Sequence, residues 1–131
     1  MILYLIIAVA LIIIDQLTKA WAVTAFEYVG ETIPVIQDFF HFTYVRNPGA
    51  VFGLGGDSGY NYLIFIAFGV IAIGLFAFLY IKNDWKDRRK IIYHIALALL
   101  LAGTIGNLID RIFQPDHKVV DFIDFRGIWD F

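Results

Sequence analysis

Three long apolar runs dominate the chain. The first covers residues 2–23, in which uninterrupted apolar residues are followed by a short polar group and then by Ala20-Trp21-Ala22-Val23. The second covers residues 60–81 and the third covers residues 91–113. Each run is long enough to cross about 30 Å of hydrocarbon as a helix, so the pattern predicts three transmembrane helices. A secretory signal peptide is an alternative for the first run, but no basic segment precedes it and further spans follow.

The loop between the second and third runs is strongly basic. Residues 82–90 hold five of the ten Lys and Arg residues of the chain. Under the positive-inside rule this loop is cytoplasmic, which also places the N-terminus in the cytoplasm. Residues 24–59 and 112–131 are then expected on the outer side of the membrane.

Residues 27–59 are too polar and too interrupted to span a membrane. Within them, Thr32–Ile36 and residues 39–45 have the β-branched and aromatic content of short strands. The sequence therefore predicts one membrane domain over residues 1–131. Its fold class is an α-helical integral membrane protein with three transmembrane helices and a small extracytoplasmic β-structured cradle. In the third span Ala98, Ala102 and Gly106 form a stripe of small residues that allows another helix to approach closely.

The composition supports a lipid environment and removes several classes of function. Hydrophobic residues make up 60% of the chain, charged residues make up 17%, and the mean hydropathy is +0.75, whereas soluble domains carry about a quarter charged residues. The net charge of −2 gives no basic surface for nucleic acid. Cysteine is absent and the three histidines are scattered, so we expect no disulfide, no thiolate nucleophile, no metal site and no cofactor.

Ionisable residues inside apolar spans are costly and mark candidate sites. Asp15 and Lys19 lie four residues apart on one helical face, and a mutual ion pair near the interface would explain them without a further role. Asn107, Asp110 and Arg111 share one face at the outer end of the third span. Here too a salt bridge between Asp110 and Arg111 alone is an alternative to a role in a site.

Two further polar positions lie outside the spans. Asn47 and Gly49 belong to Arg46-Asn47-Pro48-Gly49-Ala50, which by itself predicts only a tight turn. Asp121 follows two valines and precedes Phe122, so burial is expected to raise its pKa and to make it a plausible proton carrier. Without Cys, metal ligands or a convincing Ser and His pair, the chemistry available on the outer face is carboxylate chemistry, and paired aspartates are the natural candidate for hydrolysis.

Four segments in order resemble the motifs of the lipoprotein signal peptidase (signal peptidase II) family. They cover nearly the whole chain and are Asp15-Gln16-Leu17-Thr18-Lys19, Asn47-Pro48-Gly49-Ala50-Val51-Phe52-Gly53, Gly106-Asn107-Leu108-Ile109-Asp110-Arg111 and Val119-Val120-Asp121-Phe122. The resemblance implies a four-helix aspartyl protease of the bacterial cytoplasmic membrane, with its site on the extracytoplasmic side. It implies as substrates prolipoproteins modified with diacylglycerol, which are cut just before the modified cysteine, with membrane lipid as the other partner and no cofactor.

Carried over residue by residue, Asp121 matches one member of the catalytic aspartate pair of the family. The residues that match those lining and supporting the site are Asn47, Gly49, Asn107, Asp110 and Arg111, and Asp15 matches a motif residue with a structural role.

The sequence departs from the family pattern at two places. Val51 stands where the family carries alanine. The family also continues into an Asn-x-Ala-Asp motif that opens a fourth helix and supplies the second catalytic aspartate, and this motif does not occur here. Neither Asp124 nor Asp130 lies in such a motif. We therefore expect a C-terminally truncated chain or fragment that is inactive as it stands.

Two other functions remain open on the residues alone. The intramembrane charges Asp15, Asp110 and Arg111 would also suit a proton or ion path, although no inverted repeat supports a transporter. A membrane scaffold would explain the apolar spans but not the polar residues predicted on one face.

Overall fold

The computed structural model describes residues 1–49 and 61–127 of the chain. Within these ranges three helices are long and apolar enough to cross a membrane: α1 (Ile2–Ala25), α2 (Asn61–Lys82) and α3 (Ile91–Phe113). A short 3₁₀ turn, Arg88–Lys90, leads into α3. Positions 50–60, which include Ala50 to Gly53 of the second motif, and positions 128–131, which include Asp130, lie outside the described residues.

Small residues bring α1 and α3 together. Ala8 of α1 packs with Ala98 and Ala102 of α3 in one buried cluster, and Tyr4 and Leu11 cover its edges. Small side chains let two helix backbones approach closely. In lipid the hydrophobic effect does not drive helices together, so the van der Waals contacts of this close approach stabilise the pair. The stripe predicted on α3 is thus the surface that receives α1.

The second helix contributes little buried surface of its own. Tyr80 is its one buried residue, and bulky side chains such as Ile71 and Phe68 are exposed. A helix that is apolar on all sides and largely exposed within its own chain is typical of a membrane span that faces lipid.

The β-structured part is a three-stranded antiparallel sheet in the order β1-β2-β3. Strands β1 (Thr32–Ile36) and β2 (Phe40–Asn47) correspond to the two predicted strands, and β2 extends beyond the predicted end at Val45 to include Asn47. The third strand, β3 (Val119–Phe125), was not predicted. Its β-branched and aromatic residues are typical of a strand.

The sheet packs onto the C-terminal end of α1. Ala22 and Phe26 at the end of α1 pack with Tyr44 of β2 and Val120 of β3 in a second buried cluster. The register of β2 and β3 pairs Val45 with Asp121. Asp121 therefore lies where the sheet meets α1 and α3.

Candidate active site

Lys19 is the centre of a buried polar cluster between α1 and α3. Only 5% of the residue is exposed, and its Nζ lies 3.0 Å from Asp15 Oδ2 and 2.8 Å from Asp110 Oδ2. The same Nζ donates to Asn107 Oδ1 at 3.1 Å. An ammonium group has three N–H donors, so these three acceptors satisfy it completely.

Gln16 adds a second connection between the same two helices. Its Nε2 donates to Asp15 Oδ2 at 3.1 Å, to Asp110 Oδ1 at 3.2 Å and to the Gly106 carbonyl oxygen at 3.2 Å. The backbone N–H of Val120 donates to Asp110 Oδ2 at 3.2 Å and so attaches β3 to the cluster. The Asp110 carboxylate thereby links α1, α3 and β3.

Gly106 is required at this crossing because it faces the Asp15 carboxyl. A Cβ at position 106 would lie 3.0 Å from Asp15 Cγ and closer still to Asp15 Oδ2. The third member of the small-residue stripe therefore makes room for a charged side chain, whereas Ala98 and Ala102 make room for an apolar one.

The structure contradicts the alternative in which Asp110 pairs with Arg111 alone. Its ion pair is with Lys19 on α1 and not with Arg111. Consecutive helical residues point about 100° apart, so Asp110 faces α1 while Arg111 faces α2. The simpler explanation of Asp15 and Lys19 as a self-contained pair is likewise too narrow, because Lys19 also binds Asp110 and Asn107.

Arg111 lies against α2 and makes no ion pair with any described residue. Its guanidinium carbon is 5.4 Å from the centre of the Phe65 ring, and its Nη1 donates to the Asn107 carbonyl oxygen at 3.3 Å. Its Nε is buried without a hydrogen-bond partner among the described residues. A buried donor without a partner is costly, so this N–H is available to an incoming acceptor.

Asp121 lies on β3 beside this cluster and is partly exposed. Burial raises the pKa of the Asp121 carboxyl above its usual value, while a hydrogen bond from the Asn47 side chain and the positive charge of Lys19 act in the opposite direction. A raised pKa makes a carboxyl easier to protonate, which suits a group that takes up a proton during a reaction.

Asn47 and Gly49 form the turn next to Asp121. The Gly49 backbone N–H donates to Asn47 Oδ1 at 2.8 Å, which fixes the orientation of the amide. Gly49 has a φ of 93° and is buried, and a Cβ there would lie 2.6 Å from Phe65 Cδ2. Only glycine fits this conformation and this space.

The predicted residues therefore form two adjoining groups. Asp15, Asn107 and Asp110 meet around Lys19, whereas Asp121 and Asn47 meet at the sheet. Sequence reasoning gave Lys19 no role beyond pairing with Asp15 and gave Gln16 none. The available signal was the occurrence of both in a polar group within an apolar run, with Lys19 on the helical face that carries Asp15.

Asp124, the other carboxylate of β3, binds residues outside the two groups described above. It accepts from Thr43 Oγ1 at 2.6 Å and pairs with Arg126 Nε at 3.0 Å. Positions 121 and 124 are an odd number apart, so an extended strand directs their side chains to opposite faces. Over residues 1–49 and 61–127, no three His, Asp or Glu side chains are grouped to hold a metal ion.

Comparison with known proteins matches the part of the chain that contains these residues. The sequence model of the family described as signal peptidase (SPase) II matches residues 7–131. The chain belongs to the signal peptidase II family. Family membership makes it a multi-pass membrane peptidase of lipoprotein processing, of the aspartic type, and decides against the transporter and scaffold alternatives.

Individual relatives agree with the family assignment. The lipoprotein signal peptidase of Fusobacterium nucleatum is 44% identical over 128 residues, which is 98% of this chain and 73% of the relative. That of Clostridium tetani is 45% identical over 122 residues, covering 93% of this chain and 72% of the relative.

Two solved structures, each described as a bacterial membrane enzyme, share the fold. The match to the first has a TM-score of 0.77 at 33% identity and covers 98% of this chain and 73% of the chain in that structure. The second has a TM-score of 0.76 at 29% identity and covers 97% and 78%. The helices and the small sheet described above are therefore the fold of a membrane enzyme.

Proposed function

We propose that this chain provides one half of the catalytic aspartate pair of a peptidase that removes signal peptides from diacylglyceryl-modified bacterial prolipoproteins. The cut lies just before the lipid-modified cysteine. The environment of Asp121 supports the proposal best. Its carboxyl is partly buried and has a raised pKa, it is hydrogen-bonded to the Asn47 side chain, and it adjoins the cluster around Lys19.

The reaction needs two carboxylates in different protonation states. Asp121 as the ionised member removes a proton from water, and the oxygen of that water attacks the scissile carbonyl carbon. The second carboxyl, protonated, donates to the developing oxyanion. When the C–N bond breaks, the leaving amine takes from Asp121 the proton that came from water, and the second carboxyl regains a proton from the tetrahedral intermediate. A new carboxyl group and a free amine result. The resemblance to the family assigns the second carboxyl to an Asn-x-Ala-Asp motif that this sequence does not contain.

The other residues position the reacting groups. Asn47 orients the Asp121 carboxyl, and Gly49 lets the backbone turn closely past Phe65. The buried Nε–H of Arg111 is suited to donate a hydrogen bond to a peptide carbonyl oxygen. Asp15, Asn107 and Asp110 hold α1, α3 and β3 in register through Lys19 and Val120, and so fix where Asp121 stands.

The proposed setting is the bacterial cytoplasmic membrane, with Asp121 on the extracytoplasmic side. Its support is the excess of Lys and Arg in residues 82–90. Single cysteines introduced at Asn83 and at the exposed turn residue Asp38 test the orientation. An impermeant thiol reagent applied to intact cells is expected to label position 38 and to spare position 83, and the reverse pattern would invert the proposed topology.

The substrate is tested by the position of the cut. A version of the chain extended through an Asn-x-Ala-Asp motif and one further apolar segment is incubated with a prolipoprotein, with and without the diacylglyceryl group. Mass spectrometry of the product is expected to find the lipid-modified cysteine as the new N-terminus, and only for the modified precursor. A cut at another bond, or equal processing of unmodified precursor, would refute the proposed specificity.

A further inference from the structure

A pocket with charged residues in its lining lies at the opposite end of α3 from the sheet that carries Asp121. It has a volume of about 570 Å³ and forms where α2 ends and α3 begins, lined by Leu79, Lys82, Asn83, Asp84, Lys90 and Tyr93. None of these residues belongs to the site described above, and the cleavage reaction uses none of them.

The loop that forms this pocket is held in place by buried contacts. Trp85 packs against Tyr80 at 4.3 Å and against His94 at 4.8 Å between ring centres, and its Nε1 donates to the Tyr80 carbonyl oxygen at 2.8 Å. The fully buried His94 donates from Nε2 to the Asp84 carbonyl oxygen at 3.2 Å. The backbone on both sides of the pocket is therefore fixed before any ligand arrives.

The lining is complementary to an anion. The exposed ammonium groups of Lys82 and Lys90 form no ion pair with any described residue. Two ammonium groups against the one carboxylate of Asp84 leave the lining with a net positive charge. Asp84 in turn accepts from the Lys86 backbone N–H at 3.1 Å, so its carboxylate is partly engaged by its own loop.

A buried donor without a partner adds an independent indication of a ligand. Asn83 Nδ2 is buried and has no hydrogen-bond acceptor among the described residues. Such groups are rare in folded proteins because each loses its bonds to water. An oxygen of a bound phosphate would satisfy it while two ammonium groups neutralise the charge.

The position of the pocket specifies the kind of anion. Lys82 is the last residue of α2 and Lys90 directly precedes α3, so both lie at the boundary where headgroups meet hydrocarbon. Leu79 lies about one helical turn deeper in the lining, and Ile81 and Ile92, at the adjoining ends of the two helices, are exposed. A pocket that is cationic at the rim and apolar towards the membrane fits a phosphodiester headgroup with its acyl chains beside it.

We propose that this pocket binds the headgroup of an anionic phospholipid. The test titrates the purified full chain in detergent with phosphatidylglycerol, phosphatidylcholine and inorganic phosphate, and measures apparent Kd by native mass spectrometry for the two lipids and by calorimetry for phosphate. Wild-type protein is expected to bind phosphatidylglycerol at least about tenfold more tightly than either alternative.

Two matched double variants localise the binding. Lys82→Gln with Lys90→Gln is expected to weaken phosphatidylglycerol binding on the order of 25-fold, or about fivefold for each ammonium group. Lys86→Gln with Arg88→Gln removes the same charge from the same loop outside the pocket and is expected to change Kd less than about threefold. Asn83→Ala is expected to weaken binding about fivefold.

Three results would overturn the proposal. Equal weakening in both double variants would show a diffuse attraction to the loop, and equal binding of phosphatidylcholine would show that charge is not recognised. Inorganic phosphate that binds as tightly as the lipid would make the pocket a small-anion site. Thermal denaturation of each variant without lipid confirms that the loss of binding is not a loss of folding.

Discussion

Replacing Lys19 with methionine should destabilise the protein more than any other single loss of a lysine among the described residues. The change keeps the length of an unbranched side chain but removes the charge that Asp15 and Asp110 share. Asp110, whose side chain is 1% exposed, would retain only hydrogen bonds from Gln16 Nε2 and the Val120 N–H. An unpaired buried charge lowers the free energy of unfolding, and the two remaining hydrogen bonds offset only part of that loss.

The expected loss of stability in Lys19→Met follows from how deeply Asp110 and Asp15 are buried. Breaking a buried ion pair on one side costs about 3–5 kcal/mol. Asp15 has a side chain that is 33% exposed and can regain water, so the lower end, about 3 kcal/mol, is expected. For a chain of this size that loss lowers Tm on the order of 10 °C.

The assay is thermal denaturation in detergent, followed by tryptophan fluorescence. Lys86→Met, an exposed lysine in the basic loop, is the matched control and should shift Tm by less than about 2 °C. Adding Asp110→Asn to Lys19→Met should restore more than half of the loss, because the unpaired charge is then gone. A Lys19→Met protein as stable as the control, or a double variant whose losses simply add, would refute the cluster as the link between α1 and α3.

Three further predictions concern neighbouring residues. Gly106→Ala should lower Tm by displacing the Asp15 carboxyl, whereas Gly103→Ala, where a Cβ meets nothing within 4 Å, should leave Tm unchanged or raise it slightly; equal effects would refute the close contact. Asp110→Asn should destabilise more than Arg111→Ala in the same denaturation assay, because of these two residues only Asp110 forms an ion pair with a described residue; the opposite order would contradict this. Burial raises the folded-state pKa of Asp121 above the ordinary 3.8, so its charge lowers stability above the folded-state pKa and has no such effect below 3.8. Asp121→Asn should therefore raise Tm at pH values above the folded-state pKa, with a gain that fades as pH falls towards 3.8; a pH-independent gain would contradict this cause.

The sequence predicted those helices and strands whose pattern of residues lies within one short segment. Apolar runs longer than the hydrocarbon thickness indicated the helices, and β-branched residues indicated β1 and β2. The same rule would have found β3, since Val119–Phe125 is rich in strand-forming residues and is bounded by Pro115 and Gly127.

The partner of Asp110 was not predictable from local rules. Those rules pair neighbours along one helix, and they gave Asp15 with Lys19 and Asp110 with Arg111. The observed pair joins α1 to α3, and it depends on how the two helices rotate against each other. That rotation is set by the contact of Ala8 with Ala98 and Ala102, which no spacing within a single helix reveals.

The most direct test of the central proposal is precursor cleavage by Asp121 variants. In the extended version described above, Asp121→Asn is compared with Asp124→Asn, which alters a carboxylate on the same strand that Thr43 and Arg126 engage. Processing of a diacylglyceryl-modified prolipoprotein is followed by gel shift, and binding of the precursor is measured separately. An amide cannot take a proton from water, so Asp121→Asn should abolish cleavage while binding persists, and Asp124→Asn should retain cleavage. Cleavage by the Asp121→Asn protein would remove Asp121 from the mechanism.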